Sequence, residues 1–304
     1  MRLAKWQGLG NDYLIVEETS LPGPLTTEAI GLLCDRHFGV GSDGILLRCE
    51  PTGAVTGAVT RMRVLNPDGS EPEMCGNGIR MFARYLQRSG AVSLSEFVVE
   101  TLAGAITPRL LDDGTVRVDM GTARFRSANV AVPGSAEVVG AVLQVGGCDY
   151  EFTFVDVGNP HCVILVADPA AVDVCGVGPL VEHHPYFPNR ANVEFVRVEA
   201  DGSVTMRVWE RGVGETQACG TGATAVGAAC VRLGLTTSPV VVHLLGGDLT
   251  IEVCDAADAG SPDGTAGGAG GRRVFMTGPA EEVCTCDLSD DMLRRLGWPA
   301  STDN

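Results

Sequence analysis

The feature that most constrains this chain is that it repeats itself. Met62-Arg63-Val64 precedes Cys75-Gly76-Asn77-Gly78, and Met206-Arg207-Val208 precedes Cys219-Gly220-Thr221-Gly222, with the same offset of 144 residues at both ends (62 to 206, 75 to 219). Glu71 and Glu215 fall at that offset too. Gly10-Asn11-Asp12 and Gly158-Asn159-Pro160 form a further pair offset by 148 residues (10 to 158), so a four-residue insertion or deletion separates the two blocks. Self-similarity at a fixed spacing implies two diverged copies of one supersecondary unit.

Each copy reads in the same order. A β-rich run (Tyr13 to Val16; Cys162 to Val166) is followed by an alternating strand (Arg61 to Leu65; Thr205 to Trp209). A turn-rich segment and the Cys-Gly-x-Gly sequence come next, and then a helical stretch (Ile79 to Arg88; Ala223 to Leu233). Val116 to Met120, Val240 to His243 and Val274 to Leu288 are further strand candidates. The expected fold class is therefore α+β, with two pseudo-symmetric lobes. Where two such lobes meet, equivalent positions face one another. The Gly/Ala/Asp/Ser/Pro tract from Asp255 to Arg273 lacks the apolar residues needed to pack and reads as a mobile surface loop.

Composition narrows the function classes. The 304 residues are 45% apolar and 20% charged, the profile of a globular chain with room for two domains. With 22 basic against 38 acidic residues, the net charge of −16 argues against nucleic acid or an anionic membrane as partner. An anionic small molecule would need locally placed donors. No apolar run reaches membrane-spanning length, and Met1 to Asn11 lacks the apolar core of a signal peptide, so a cytoplasmic protein is expected. The 11 cysteines are odd in number and form no CxxC framework, which favours reduced thiols.

The chemistry concentrates in the two Cys-Gly-x-Gly turns. Each places a cysteine at a helix N-terminus, where free N–H groups and the positive end of the helix dipole gather. That position favours a thiolate and a bound carboxylate alike, and the glycines let backbone approach a ligand. Two such thiols on opposite sides of an amino-acid α-carbon would suit stereoinversion: one removes the α-proton, the other returns a proton to the opposite face, and the N–H groups stabilise the carbanion. A single cysteine among so many is more often an inert buried residue; two at matched positions shift the balance towards function. A metal site would need about four ligands, and the sequence supplies no cluster. A Cys75–Cys219 disulfide would be an oxidised, inactive form.

Five blocks carry a family resemblance: Gly8-Leu-Gly-Asn-Asp-Tyr13, Gly39-Val-Gly-Ser-Asp-Gly44, Asn66-Pro-Asp-Gly-Ser-Glu-Pro-Glu-Met-Cys-Gly-Asn-Gly-Ile-Arg80, Gly158-Asn-Pro-His161 with Asn192-Val-Glu-Phe195, and Glu210-Arg-Gly-Val-Gly-Glu-Thr-Gln-Ala-Cys-Gly-Thr-Gly222. In order and over most of the chain, they resemble the diaminopimelate epimerase family. The resemblance implies interconversion of LL- and meso-diaminopimelate, in lysine and peptidoglycan precursor synthesis, without pyridoxal phosphate, other cofactor or metal. It implies two lobes, each a curved, mostly antiparallel sheet wrapped around a central helix. The first would comprise residues 1–118 plus 275–304 and carry Cys75; the second would comprise 119–274 and carry Cys219. The active site would lie in the cleft between them, in a homodimer.

By resemblance, Cys75 and Cys219 are the acid and base, and His161 and Glu210 tune them. Gly76-Asn77 and Gly220-Thr221 would hold the reacting carboxylate. Asn11, Asn66, Asn159, Asn192, Glu210 and Arg211 match substrate-binding positions, with Arg211 suited to a bidentate grip on the distal carboxylate. Gly44 is a departure, since some members carry a substrate-contacting Gln there. Each residue also has a plainer reading: Asn11 as a turn residue, Asn192 as a loop end, His161 as a satisfied core histidine, Arg211 as a solvated charge. Rival functions are an epimerase or racemase of the same scaffold acting on another amino acid, a non-catalytic amino-acid-binding protein, and a thiol redox protein.

Overall fold

The computed structural model describes residues 1–134, 137–254 and 271–299. The chain divides into two compact units, one made of Met1–Val118 with the segment from Gly278 onward, the other of Asp119–Thr277.

The first unit is built on a seven-stranded sheet whose order across the sheet is Glu281–Asp287, Arg2–Gly8, Asn11–Glu17, Gly44–Cys49, Ala58–Leu65, Val98–Thr101 and Gly104–Ile106. From Arg2–Gly8 onward the pairings run antiparallel, parallel, antiparallel, parallel, antiparallel. The second sheet contains Cys148–Asp156, Pro160–Leu165, Asn192–Val198, Val204–Glu210, Val240–Leu244 and Gly247–Cys254, and its pairings alternate in the same sequence. Ala141–Val145 flanks it at one side, and Arg272–Gly278 and Val116–Ala123 at the other. The repeat read in the sequence is thus a repeat of topology, and the fold is mixed α+β as expected.

Strand geometry decides which residues meet the central helices. Side chains alternate between sheet faces, and both faces are covered, which accounts for the nearly continuous apolar runs. In the first unit Leu14, Val16, Ile45 and Leu47 pack with Ala29, Ile30 and Leu33 of the Thr27–Cys34 helix. Leu46 points the other way, to the Gly76–Arg88 helix. In the second, Phe152, Phe154, Val193 and Phe195 pack with Val174 and Val181 of the Val174–Glu182 helix. Glu194, between two of those residues, turns to the Gly220–Arg232 helix.

The two central helices match turn for turn. Each is thirteen residues long and almost continuously buried in its first ten. Both stop in the same way: Ala91 and Leu235 donate backbone bonds to Leu86 and Cys230, each 3.0 Å, closing over Gly90 (φ 75°) and Gly234 (φ 72°). Positive φ at that position favours glycine. Both helices start three residues earlier than the apolar pattern indicates, at Gly76 and Gly220. Glycine is a poor helix former, so propensity hides the first turn, whereas the cysteine cap supports it. A bidentate pair of Arg63 with Glu71, at 3.0 and 2.8 Å, ties the strand to the turn before the first cysteine. Arg207 and Glu215, at 2.7 Å, do the same before the second.

The loop expected over Asp255–Arg273 lies outside the described residues as far as residue 270. Its last part is corrected: Arg272 and Arg273 open the strand Arg272–Gly278. Arg273 donates to Asp119 at 2.9 Å and lies over the Phe275 ring at 5.3 Å, contacts that hold a polar stretch in the sheet. No helix among the described residues is long and apolar enough to cross a membrane.

Candidate active site

In the first unit, Cys75 is the N-cap of the Gly76–Arg88 helix. Its extended backbone (φ −134°, ψ 114°) lets the sulfur accept from Gly78 N–H at 3.2 Å. The same sulfur donates to the Tyr13 hydroxyl at 3.7 Å. Arg80 is fully buried one turn along. Its guanidinium donates to the carbonyls of Gly76 (3.1 Å) and Pro279 (3.3 Å) and to Asn77 Oδ1 (3.0 Å). Burial lowers the Arg80 pKa to about 10, and its attraction to Cys75 opposes that loss. Asn77 in turn donates from Nδ2 to Asn11 Oδ1 at 3.3 Å. Asn11 Nδ2 donates to Asp43 at 2.7 Å, and Asp43 and Asp12 both accept from Arg36 at 2.7 Å. Asn11 is more than a turn residue: its amide is fixed at both ends.

Gly44 acquires a physical reason that does not involve substrate. A Cβ there would stand 2.7 Å from the Tyr13 ring and 2.7 Å from the Leu65 carbonyl. Glycine at this position leaves the room that Tyr13 uses to reach Cys75. Asn66 sits in a turn, where its backbone N–H and side-chain amide donate to the Ser70 carbonyl and hydroxyl at 2.9 and 3.0 Å.

In the second unit, Cys219 caps the Gly220–Arg232 helix with nearly the same backbone (φ −121°, ψ 109°), and its sulfur accepts from Gly222 N–H at 3.4 Å. Thr221 Oγ1 lies 3.5 Å from that sulfur and accepts from Asn159 Nδ2 at 3.4 Å. Asn159 Oδ1 faces His161 Nε2 at 3.0 Å, and His161 Nδ1 faces Glu194 Oε1 at 2.6 Å. His161 and Glu194 are fully buried. Thr224 Oγ1 donates to the Gly220 carbonyl at 2.8 Å, the role Arg80 plays toward Gly76.

The buried surroundings of Cys219 run against one expectation. A helix N-terminus was expected to ease both thiols towards thiolate. For Cys219 burial pushes the thiol well above its ordinary range, and Glu210 and Glu194 push it further. The Thr221 hydroxyl and Gly222 N–H oppose this without overcoming it. Glu210 is itself raised, first by burial, against hydrogen bonds from Thr216 and Cys219 and the charge of His161.

Asn192 is buried and braced: Nδ2 donates to the Pro160 carbonyl at 3.1 Å, and Oδ1 accepts from Arg211 N–H at 2.9 Å. It orients the Arg211 backbone rather than ending a loop. The Arg211 side chain donates to the Asn189 carbonyl at 3.1 Å, and no carboxylate pairs with it among the described residues. Arg211 and Asn159 line a pocket of about 520 Å³ with Asn129, Asn189 and Arg190. Within each unit, then, the proposed residues converge: Asn11, Gly76 and Asn77 around Cys75; Asn159, His161, Glu210, Gly220 and Thr221 around Cys219.

Comparison with known proteins fits this geometry. A family model described as diaminopimelate epimerase matches residues 3–126 and 153–281. The diaminopimelate epimerase of Desulforudis audaxviator is 49% identical over 288 residues, covering 93% of this chain and 97% of the relative. That of Moorella thermoacetica is 45% identical, covering 96% and 100%. The chain belongs to the diaminopimelate epimerase family. As a member it is an isomerase of the epimerase type. Solved structures share the fold at low identity. A Bacillus anthracis phenazine biosynthesis protein of the PhzF family aligns with TM-score 0.67 at 17% identity, covering 95% of this chain and 98% of the other. A probable proline racemase from Agrobacterium radiobacter aligns with TM-score 0.66 at 16% identity, covering 95% and 92%.

Sequence reasoning missed four residues around this family site: Tyr13, Arg80, Glu194 and Arg190. Tyr13, Arg80 and Glu194 stood inside the recognised blocks, but their burial was not legible there. The 148-residue offset was an available signal, since it sets Tyr13 against His161; the register agrees, with Tyr13 paired to Gly44 as His161 is to Asn192.

Proposed function

We propose that this protein epimerises LL-2,6-diaminopimelate to meso-diaminopimelate with Cys75 and Cys219 as the two proton-transfer groups. The carrying observation is that two cysteines at matched positions cap matched helices. Each sulfur accepts an N–H from the helix's first turn, at 3.2 Å for Cys75 and 3.4 Å for Cys219.

In this mechanism one sulfur, as thiolate, takes the α-proton from one face of the carbon. The other, as thiol, gives its proton to the opposite face. The C–H bond breaks at one side as the new one forms at the other, and the sulfurs end with exchanged protonation, ready for the reverse direction. Negative charge develops on the reacting carboxylate as the α-carbon loses its proton. The N–H groups of Gly76-Asn77 and Gly220-Thr221, aligned with their helix dipoles, stabilise it there. Asn11 and Asn159 hold the α-amino and carboxylate groups, and Arg211 grips the distal carboxylate, which lets a strongly acidic protein bind an anionic ligand. The relatives' names supply the substrate, and the pocket lined by Arg211 and Asn159 suits a ligand with a second amino-acid end. The reaction would serve lysine and peptidoglycan precursor synthesis in the cytoplasm, in a homodimer and without a cofactor.

The test is incubation of the reduced protein with LL-diaminopimelate in D₂O, following stereochemistry and α-deuterium together. Meso product carrying solvent deuterium is expected. Folded, reduced protein that yields neither product nor exchange would remove diaminopimelate as the substrate, and a panel of other amino acids would follow.

A further inference from the structure

One buried carboxylate is not accounted for by this mechanism. Glu194 is 0% exposed, and its Oε2 has no hydrogen-bond partner among the described residues. A carboxylate in an apolar interior is strongly disfavoured unless something compensates it. A structural role does not explain it, because the first unit solves the same packing problem with a leucine. Ile15 pairs with Leu46 two residues beyond Tyr13 and Gly44, just as Val163 pairs with Glu194 two residues beyond His161 and Asn192. Both side chains lie against the second glycine of the Cys-Gly-x-Gly turn. A Cβ on Gly78 would stand 3.1 Å from Leu46, and one on Gly222 would stand 3.0 Å from Glu194 Oε1.

Glu194 does begin a hydrogen-bonded chain that ends at the thiol. Its Oε1 meets His161 Nδ1 at 2.6 Å, and His161 Nε2 meets Asn159 Oδ1 at 3.0 Å. Asn159 Nδ2 donates to Thr221 Oγ1 at 3.4 Å, and Thr221 Oγ1 lies 3.5 Å from Cys219 Sγ. An amide oxygen only accepts, so the Nε2 facing it must carry a hydrogen. The 2.6 Å contact between Glu194 Oε1 and Nδ1 also needs one proton between two acceptors, and on whichever partner it sits, Nε2 keeps its own hydrogen for Asn159 while the ring's orientation is fixed. Asn159 is thereby held with its oxygen inward, one N–H on Thr221 and the other left for substrate. In the first unit the counterpart Asn11 is held by Asp43 instead.

We propose that Glu194 is a positioning residue for the second half-site: through His161 it sets the Asn159 amide, and through Asn159 and Thr221 it sets the Cys219 sulfur. The inference rests on the two-thiol reading above. It is tested with Glu194→Leu, which installs the first unit's residue, and Glu194→Gln, whose amide can still donate to Nδ1 and keep the hydrogen on Nε2. Activity is read as kcat and KM in both directions. The His161 tautomer is read by ¹H–¹⁵N NMR, assigned against His161→Gln. The parent and Glu194→Gln should show Nε2–H, and Glu194→Leu a mixture of tautomers. Turnover should fall about 100-fold in Glu194→Leu, as for a misplaced active-site group, and recover to within about tenfold of the parent in Glu194→Gln.

A Leu variant within twofold of the parent would overturn the proposal. So would a Gln variant as slow as the Leu variant while keeping Nε2–H, because the route through His161 would then carry no effect. If the Leu variant does not fold, the Gln variant decides. Nε2–H with turnover within tenfold of the parent supports the proposal; loss of Nε2–H with unchanged turnover, or Nε2–H with a deeper loss, refutes it. The parent is assayed first: a parent inactive on diaminopimelate defeats the functional reading, while the tautomer measurement still judges whether Glu194 fixes His161.

Discussion

Around Cys75 the buried ion is a cation, Arg80, with Tyr13 and Leu46 beside the turn and Asn66 at the repeat position of Glu210. Around Cys219 the corresponding positions hold His161, Glu194 and Glu210, and Thr224 replaces the arginine. The backbones agree closely: both cysteines are extended N-caps, both helices end over glycine, and both approach strands are tied down by an Arg–Glu pair. Backbone placement and charge are therefore set by separate residues. The caps put the sulfurs at equivalent places in their units, while a few buried side chains give the two half-sites different charge surroundings. A guanidinium stabilises a nearby thiolate and carboxylates disfavour one. Burial and the Glu210 and Glu194 carboxylates raise the Cys219 thiol, whereas the charge attracted to Cys75 is the Arg80 guanidinium, so the two half-sites differ in the charge they present.

The largest expected effect tests what the halves share. Cys75→Ala and Cys219→Ala should each lower kcat by at least about 10³-fold, since each removes a proton-transfer group that the reaction needs in either direction. Circular dichroism should show the fold retained. Near-parental turnover in either variant would show that the two caps are not functionally paired.

Next comes a feature that only the second half possesses. Pro67 stands where the repeat would place a counterpart to Arg211. Arg211→Ala should raise KM roughly 10- to 100-fold, the worth of a charge-assisted bidentate contact at about 1.5–3 kcal/mol, with a smaller change in kcat. An unchanged KM would remove the distal-carboxylate role and make the two halves more alike in binding than their charges suggest.

Much of this was readable from the residues. The 144-residue offset pointed to two units and paired Cys75 with Cys219, because backbone-level features such as Gly-rich caps and strand alternation are written locally. The asymmetry was not readable. Arg80 and Glu194 look like ordinary helix and strand charges in sequence, and only the sheet register and burial reveal that they are sealed beside the thiols. The thiol of Cys219 was misjudged for the same reason: the helix end is a local feature, whereas the burial that most raises the thiol, and the Glu210 and Glu194 carboxylates that add to it, come from tertiary packing. Gly44 was read against a family glutamine, when its neighbour in the parallel register, Tyr13, is what requires a glycine.

That last point yields a smaller test. Gly44→Ala sets a Cβ 2.7 Å from the Tyr13 ring and the Leu65 carbonyl, and a backbone oxygen cannot yield as a flexible side chain would. The cost should be about 1–3 kcal/mol of overpacking, seen as a lower Tm, with Tyr13 drawn away from Cys75. The parallel-register counterpart, Asn192, carries a side chain without such a clash, so Asn192→Ala should not show the same steric penalty. An unchanged Tm in Gly44→Ala would mean that Tyr13 does not occupy this space in solution.

The finest test addresses charge alone. Glu210→Gln preserves size and removes the carboxylate that, after burial, most raises the Cys219 thiol. Burial still opposes the thiolate in the variant, so the thiol should fall only part of the way. One unit of thiol pKa is about a tenfold change in thiolate fraction below the pKa, and a partial fall corresponds to about a three- to tenfold faster alkylation of Cys219 by iodoacetamide at pH 8. Cys75, in the other unit, should alkylate at the parental rate, which makes the ratio of the two labelled peptides the useful readout. The sign with pH is also fixed. The Glu210 carboxyl titrates above the usual carboxylate range because it is buried, so as pH falls through that titration the parent loses the same negative charge that the variant lacks. The two proteins should then alkylate Cys219 at converging rates. A constant ratio across the whole pH range would mean that Glu210 acts on Cys219 through packing rather than charge, and a slower Cys219 in the variant would mean that the Glu210 carboxylate does not disfavour its thiolate.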